Sequence, residues 1–133
     1  MKYVYPVVIY KKGKDRYYCV YVPDIDSATQ GEDLAECFEM ARDLIGIEYI
    51  EEGKNLPKPF TSEKGRHFYD FTDEDVERRV LVDIDLEEYK RKNDQRIVKK
   101  NCSIPSYLAY RGEQAGLNFS KVLQDGLKRE LHL

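Results

Sequence analysis

Polar side chains alternate with apolar ones in the residues that precede Pro105. The polar positions are Lys99, Asn101 and Ser103, and the apolar ones between and around them are Val98, Cys102 and Ile104. Successive side chains of a β-strand point to opposite faces, so this spacing predicts a strand with one polar face. Lys can donate to guanine, Asn can pair with adenine and Ser can contact either base in the major groove of DNA. The pattern therefore fits a DNA-reading strand or an ordinary solvated one.

Four aspartates are the candidates for metal-dependent catalysis: Asp24, Asp26, Asp83 and Asp85. Two-metal hydrolysis needs carboxylates that converge on a pair of divalent ions. The first predicted strand, YVYPVVIY, contributes none, and Asp83 and Asp85 fit the solvated face of a later strand. We expect no enzymatic activity, no metal and no cofactor.

The histidines and cysteines support the same expectation. His67 and His132 have no partner at the spacing of metal ligands or a catalytic triad, which favours surface positions. Cys19, Cys37 and Cys102 fall inside apolar patterns without a CxxC pair, so we expect reduced core residues and a cytoplasmic protein.

The charge is divided along the chain of 133 residues, whose net charge is -3. Residues 1–85 carry 12 Lys and Arg against 19 Asp and Glu, a net charge of -7, and residues 86–133 carry 10 against 6, or +4. The pattern indicates an acidic body with a basic end. No signal-peptide pattern is present and no run approaches the ~20 apolar residues of a membrane span, so we expect a soluble protein.

Residues 3–31 have the pattern of three strands. β-Branched and aromatic residues at 3–10 and 16–24 flank the turn-like KKGKD and predict a β-hairpin, with a short third strand closed by Gly31. Proline has no N–H to donate to a sheet, so Pro6 predicts an edge strand or a bulge there.

A helix and a fourth strand follow. Asp33 is the predicted N-cap, with Glu36 at capping-box spacing, and Gly53 ends the helix. Its apolar stripe comprises Leu34, Phe38, Ala41, Ile45 and Tyr49. The connection 53–75 is rich in Pro, Gly and charge, which is typical of a functional or mobile loop and not of a core. Alternation at 79–86 predicts the last strand, giving β-β-β-α-β, with EEYKRKNDQ as a linker or short helix.

The last unit is predicted as strand, helix, helix. Pro105 and Gly116 bound the first helix, and Asn118 caps the second. The second helix carries one wide apolar stripe, consisting of Phe119, Val122, Leu123, Gly126, Leu127 and Leu131. So small a unit cannot bury that stripe alone, and we expect a second copy to cover it. Free N–H groups at Asn118 also favour an anion.

Three stretches, YPVVIY, RYYCVYVPDIDSATQGEDLAECFEMARDLI and NLPKPF, resemble the HicB family, the antitoxins of HicAB toxin–antitoxin systems. The resemblance implies an α+β chain whose residues 1–86 form a partial RNase H-like, toxin-binding domain. It also implies a partner, a small basic mRNA-cleaving toxin of the HicA type.

A second stretch, VKKNCSIPSYLAYRGEQAGLNFSKVLQDGLKREL, is similar to ribbon-helix-helix DNA-binding domains, in which two chains pair their strands. It implies that residues 95–133 dimerise and bind operator DNA. In that pattern the base readers are Lys99, Asn101 and Ser103, and Asn118 contacts a phosphate, with Lys121 one turn further on. Lys100 departs from the pattern because it lies on the inward face, although its charge could reach a phosphate.

The sequence thus predicts an antitoxin that neutralises its toxin and represses its own operon. We expect a homodimer through the C-terminal domain, or a larger even-numbered assembly with toxin. Acidic charge would replace RNA phosphates on the toxin. The expected toxin contacts, which ordinary turn and sheet surface would explain as well, are Tyr18, Asp24, Asp26 and Ser27. A stand-alone ribbon-helix-helix repressor with a non-toxin sensing domain is the alternative.

Overall fold

The computed structural model describes residues 1–11, 13–72 and 75–133. It divides into two compact units, Met1–Gln95 and Arg96–Leu133, called here the first and second units. The division follows the charge, since the first unit carries 15 Lys and Arg against 22 Asp and Glu, and the second carries 7 against 3. Their net charges are therefore -7 and +4.

The first unit is built on a four-stranded antiparallel sheet in the order β3-β2-β1-β4. The strands are β1 (Lys2–Tyr10), β2 (Tyr18–Val22), β3 (Ser27–Gly31) and β4 (Val76–Asp85). The helix α1 (Leu34–Glu52) follows β3, which confirms the predicted order β-β-β-α-β apart from a short helix before β4.

The prediction for Pro6 was wrong, because β1 lies in the interior of the sheet and its bulge falls between Ile9 and Tyr10. The pairing pattern gives the reason. Pro6 is paired with Leu81 of β4, whereas the pairing of β1 with β2 covers only residues 8–10. Among the described residues, Pro6 is therefore paired on one side only, which is the local situation of an edge residue within an interior strand.

The caps of α1 agree with the sequence. The Asp33 carboxylate accepts a hydrogen bond of 2.8 Å from the Glu36 N–H. The Glu36 carboxylate accepts from the Glu32 N–H at 3.2 Å, one residue before the position that a capping box uses. Gly53 ends the helix with a positive φ of +57°, which glycine adopts without strain because it has no Cβ.

The main core lies between α1 and one face of the sheet. It is formed by Tyr5, Val7, Ile9, Val20, Val22, Cys37, Ala41, Ile45, Leu56, Val82, Ile84 and Leu86. The helix α3 (Leu86–Asn93), left as a linker or short helix by the sequence, begins directly after β4 and belongs to this unit. Tyr89 of α3 packs on Gly46 of α1 so closely that a Cβ there would lie 2.3 Å from its ring.

The connection between α1 and β4 is more ordered than the sequence suggested. It contains the one-turn helix α2 (Glu63–Arg66) and two 3₁₀ turns, Gly53–Asn55 and Phe68–Asp70. Leu56 joins the main core, and Phe68 is fully buried outside it. The prediction of a functional or mobile loop that is not part of a core was therefore wrong for Leu56 and Phe68.

The second unit contains two helices, α4 (Ser106–Gln114) and α5 (Phe119–Glu130). Gly116 turns the chain between them with φ +68°. Residues 94–105 form no strand in the structure, in contrast to the prediction. A strand is defined by hydrogen bonds to a neighbouring strand, and a single copy of this unit supplies none.

The prediction of three core cysteines held only for Cys37, because Cys19 and Cys102 are exposed. Cys19 lies on β2 next to Val20, whose side chain takes the core side, so alternation turns Cys19 outward. Among the described helices, none is long and apolar enough to cross a membrane.

Candidate binding surfaces

The second unit has an apolar groove of about 640 Å³ between residues 100–104 and the two helices. Its lining residues are Lys100, Cys102, Ile104, Leu108, Arg111, Gly112, Leu117, Phe119, Ser120, Val122 and Leu123. The helices cross closely at its base, since a Cβ on Gly112 would lie 2.7 Å from the Phe119 ring. The first part of the apolar stripe of α5, Phe119, Val122 and Leu123, thus lines an open groove.

The groove separates the two sets of alternating residues before Pro105. Its lining includes Lys100, Cys102 and Ile104, which places Lys100 on the inward face, as the sequence indicated. The polar set is exposed and absent from the lining: Lys99, Asn101 and Ser103. The two faces are therefore already distinct in one chain, and base reading by the polar set stays a prediction.

Asn118 opens α5 as predicted. Its side-chain oxygen accepts a hydrogen bond of 3.1 Å from the Lys121 N–H, which is the geometry of an N-cap. The Lys121 ammonium is exposed and lies 4.0 Å from Asp125 one turn further on. This arrangement leaves the Lys121 side chain at the surface beside the helix N-terminus, and the predicted phosphate contacts stay predictions.

Asp24 has a structural role that the sequence did not suggest. It is only 4 % exposed. Its Oδ2 accepts from the Phe60 N–H at 3.0 Å, and its Oδ1 accepts from the Ser62 N–H at 3.3 Å and the Ser62 hydroxyl at 3.0 Å. Gly65 of α2 packs on the same carboxylate, leaving no room for a Cβ. Asp24 fastens the connection to the sheet, and a buried carboxylate with these partners cannot contact a toxin directly.

Asp26 is exposed and belongs to a small polar cluster. Its backbone is left-handed, with φ +48°. Its Oδ1 accepts hydrogen bonds from the Tyr21 hydroxyl at 2.6 Å and from the Lys64 ammonium at 2.9 Å. The hydrogen bond from Lys64, followed by that from Tyr21, lowers the pKa of Asp26, and burial is the main cause that raises the pKa of Tyr21.

The sequence missed Tyr21 and Lys64 as members of this cluster. Lys64 is 38 positions away from Asp26 and reaches it only because α2 is fastened to the sheet, so no local pattern could have indicated the contact. The other two expected toxin contacts lie nearby in sequence. Ser27 donates from its hydroxyl to the Ile25 carbonyl at 3.4 Å, and the half-buried Tyr18 has the Lys11 ammonium 4.6 Å from its ring centre.

The negative charge of the first unit is concentrated on one segment. Residues 32–52 contain eight Asp and Glu and a single basic residue, Arg42. Glu36, Glu39 and Asp43 are exposed along α1. The net charge of this segment equals that of the whole unit, so α1 together with Glu32 and Asp33 carries the excess of negative charge and the rest of the unit is balanced.

The remaining candidate catalytic groups have structural partners. Arg42 binds Asp83, with Nη2 3.1 Å from its Oδ1 and Nε 2.9 Å from its carbonyl oxygen, and the hydrogen bond from Arg42 lowers the pKa of Asp83. Asp85 caps α3 through the Glu88 N–H at 3.1 Å. The exposed His67 lies 2.9 Å from Asp70. Within residues 1–11, 13–72 and 75–133, no three His, Cys, Asp or Glu are grouped to hold a metal ion.

Comparison with known proteins identifies the family. The model described as the HicB_like antitoxin of bacterial toxin-antitoxin system matches residues 5–117. A solved chain of a toxin–antitoxin complex from Streptococcus pneumoniae is similar over 98 % of this chain and 99 % of its own length, with 28 % identity and a TM-score of 0.58. The antitoxin HicB of Burkholderia pseudomallei is similar over 98 % and 97 %, with 20 % identity and a TM-score of 0.49.

No protein with a curated description matches the chain. The family match includes the sheet from residue 5 onward, α1, the connection and α4, and it ends before α5. The chain belongs to the HicB-like antitoxins of bacterial toxin–antitoxin systems.

Proposed function

We propose that this antitoxin binds and neutralises a HicA-type mRNA-cleaving toxin through its first unit, an RNase H-like fold reduced in size. The observation that carries the proposal is the match to the antitoxin family along residues 5–117. In the same proposal, the second unit dimerises as a ribbon-helix-helix domain and represses the operon by binding operator DNA. The chain performs no catalysis.

Charge supports the assignment of the toxin to the first unit. An RNA-cleaving toxin needs a basic surface for phosphates, and the first unit presents acidic side chains along the exposed side of α1. Opposite charges speed the encounter and orient the two proteins. The second unit, with its net charge of +4, is suited to DNA instead.

Exposed apolar surface supports dimerisation of the second unit. Large apolar side chains of α5 and of the residue that follows it are between two fifths and two thirds exposed, namely Phe119, Val122, Leu123, Leu127 and Leu131. Soluble proteins rarely leave so continuous an apolar surface uncovered. A second copy would cover the groove and pair its own chain with residues 97–104 as a second strand.

The test of DNA binding is the triple variant in which Lys99, Asn101 and Ser103 are replaced by Ala. We expect it to lose the specific shift of the upstream promoter fragment and to remain a dimer, because each lost base contact costs about 1–3 kcal/mol. The matched control replaces the exposed Lys54 and Asn55 of the first unit by Ala. Equal operator affinity of the triple variant and the control would refute the assignment of the base readers.

The test of neutralisation is co-expression with the product of the adjacent reading frame, which the proposal expects to be a small basic toxin. Residues 1–95 should restore growth in cells that express this toxin, and residues 96–133 should not. A soluble, folded fragment 1–95 that fails to bind the toxin would remove the neutralising role from this unit. Operator binding without any toxin binding would favour the stand-alone repressor.

A further inference from the structure

We propose that Asp26 and the ring of Tyr21 form a receptor for one basic side chain of the toxin, and that Lys64 of the antitoxin occupies this receptor until the toxin binds. The inference rests on the proposed function, because it takes the basic toxin as the partner. It assigns to the toxin a Lys or Arg that replaces Lys64 at the Asp26 carboxylate.

The receptor is built before any partner arrives. Asp26 adopts a left-handed backbone conformation, which costs free energy for residues other than glycine and is best tolerated by Asp and Asn. The hydroxyl of Tyr21 then holds Oδ1 at 2.6 Å, so the direction of the carboxylate is set by a neighbouring strand residue. The carboxylate side chain nevertheless stays 69 % exposed and accessible to another protein.

The chemistry of the site fits a cation. The Lys64 ammonium lies 2.9 Å from Asp26 Oδ1 and 5.8 Å from the centre of the Tyr21 ring. A carboxylate and an aromatic ring are the two features that attract ammonium and guanidinium groups. Lys64 therefore shows which kind of ligand the site accepts.

The position of Lys64 makes it an effective occupant. Lys64 lies on the one-turn helix α2, which is fastened to the sheet by the bonds between Asp24 and Ser62. Its backbone is thus held beside Asp26, while its side chain remains 58 % exposed. An arriving basic side chain can displace it because exposed ion pairs contribute little to stability.

Binding favours the exchange. An interface excludes water and strengthens the attraction between Asp26 and a toxin cation, because charges interact more strongly at low dielectric constant. Lys64 retained at the same carboxylate would place two cations side by side. Removing Lys64 should therefore remove a competitor.

The experiment compares full-length variants by calorimetric titration with the purified HicA-type toxin of the proposed function. Lys64→Met should tighten binding about two- to fivefold, since exposed pairs have energies of this order. The control is Arg16→Met, because Arg16 also pairs with an exposed carboxylate, that of Glu32 at 3.0 Å, and its loss changes the net charge equally. Asp26→Asn should weaken binding about fivefold or more.

The double variant Asp26→Asn with Lys64→Met completes the test. It should bind no more tightly than Asp26→Asn alone, because the competitor matters only while its carboxylate is present. Equal affinities of Lys64→Met and Arg16→Met, or wild-type affinity of Asp26→Asn, would overturn the receptor and leave the proposed function standing. A wild-type chain that does not bind the toxin would overturn both. Thermal unfolding of each variant verifies its fold.

Discussion

The two units differ in how many of their apolar side chains they bury. The first unit buries twelve apolar residues in one main core, with a further aromatic residue, Phe68, buried outside it. The second unit, described throughout residues 96–133, buries only Gly112. The first unit therefore has a core of its own, whereas the second leaves its apolar side chains exposed in a single copy, which is why we propose that it dimerises.

The units differ in charge as well, and both differences indicate that the two units bind different kinds of partner. The first unit combines a complete core with an acidic surface, which suits reversible binding of the proposed basic toxin. The second combines an open groove with a basic surface, which suits a permanent copy of itself and a polyanion. Variants that exchange or remove these properties test the comparison.

The largest effect is expected from a charge in the groove. Leu123→Lys places an ammonium on a residue that is 41 % exposed in one chain and lines the groove. A second copy would bury this charge without a counter-ion, at a cost of several kcal/mol. We expect the dimer to dissociate, as measured by analytical ultracentrifugation.

The matched control lies in the first unit. Leu81→Lys changes a leucine that is 51 % exposed on β4, where no partner copy is needed. It should leave the oligomeric state unchanged. If the two variants behave alike, or if the wild-type chain is a monomer, the contrast between a complete and an incomplete unit fails.

A smaller loss is expected when the buried Asp24 is changed. Asp24→Asn replaces one carboxylate oxygen by an NH₂ group, which cannot accept from the N–H groups of Phe60 or Ser62. Donors that face each other in a buried site cost about 2–4 kcal/mol. Urea unfolding should show this loss in the first unit, and the exposed Asp26→Asn should stay near wild type. Equal stability of both variants would contradict the conclusion that the hydrogen bonds of Asp24 hold the connection between α1 and β4 against the sheet.

The features that the sequence predicted depend on residues close together in the chain. Those that it missed depend on contacts between distant segments. The caps Asp33 and Asn118 and the stripe of α1 follow from spacings of three or four residues, so the sequence was sufficient to place them. The interior position of Pro6 depends on which strand lies beyond it, and the bonds of Asp24 join segments 36 and 38 positions apart. Such relations arise from tertiary packing, which no local pattern encodes.

The missing strand in the second unit has a similar cause. Alternation before Pro105 indicated a strand, and the groove does separate the two faces. In the proposed dimer, the hydrogen bonds that make it a strand come from the second chain. The alternating pattern indicates that these residues can form a strand. A single copy shows no strand, because strand assignment requires hydrogen bonds to a neighbouring strand.

Alkaline pH should weaken the first unit through Tyr5. Its hydroxyl donates to the Pro57 carbonyl at 2.7 Å, and burial is the main cause that raises the pKa of Tyr5 from 10.0 to about 12. Below pH 10 the hydroxyl is protonated in both states, so its contribution is complete. Between pH 10 and 12 the unfolded chain loses the proton first, and the free energy of unfolding should fall by about 2–3 kcal/mol.

Tyr5→Phe provides the comparison for this prediction. The variant lacks the hydroxyl, so the difference between its urea stability and that of the wild type should change between pH 10 and 12. The other tyrosines titrate in both proteins and cancel. Parallel pH profiles would show that Tyr5 ionises equally in the folded and unfolded chains.

The smallest effects are expected at two helix glycines, one in each unit. Gly→Ala within a helix normally stabilises it by about 1 kcal/mol. At Gly46 the new Cβ would lie 2.3 Å from the Tyr89 ring, and at Gly112 it would lie 2.7 Å from the Phe119 ring. The contact at Gly46 includes the inner carbon of the ring, so Tyr89 must leave α1, whereas Phe119 meets the Cβ only with its outer carbons.

The two alanine variants should therefore report on different properties. Gly46→Ala should lower the free energy of unfolding of the first unit by about 1–2 kcal/mol, because overpacking displaces Tyr89 and loosens α3. Gly112→Ala should hardly change helix content, because the Phe119 ring can shift toward the open groove. That shift alters the surface offered to the second copy, so the variant should weaken dimerisation instead. Weaker unfolding stability in both variants with unchanged dimerisation would show that the second unit is packed as completely as the first.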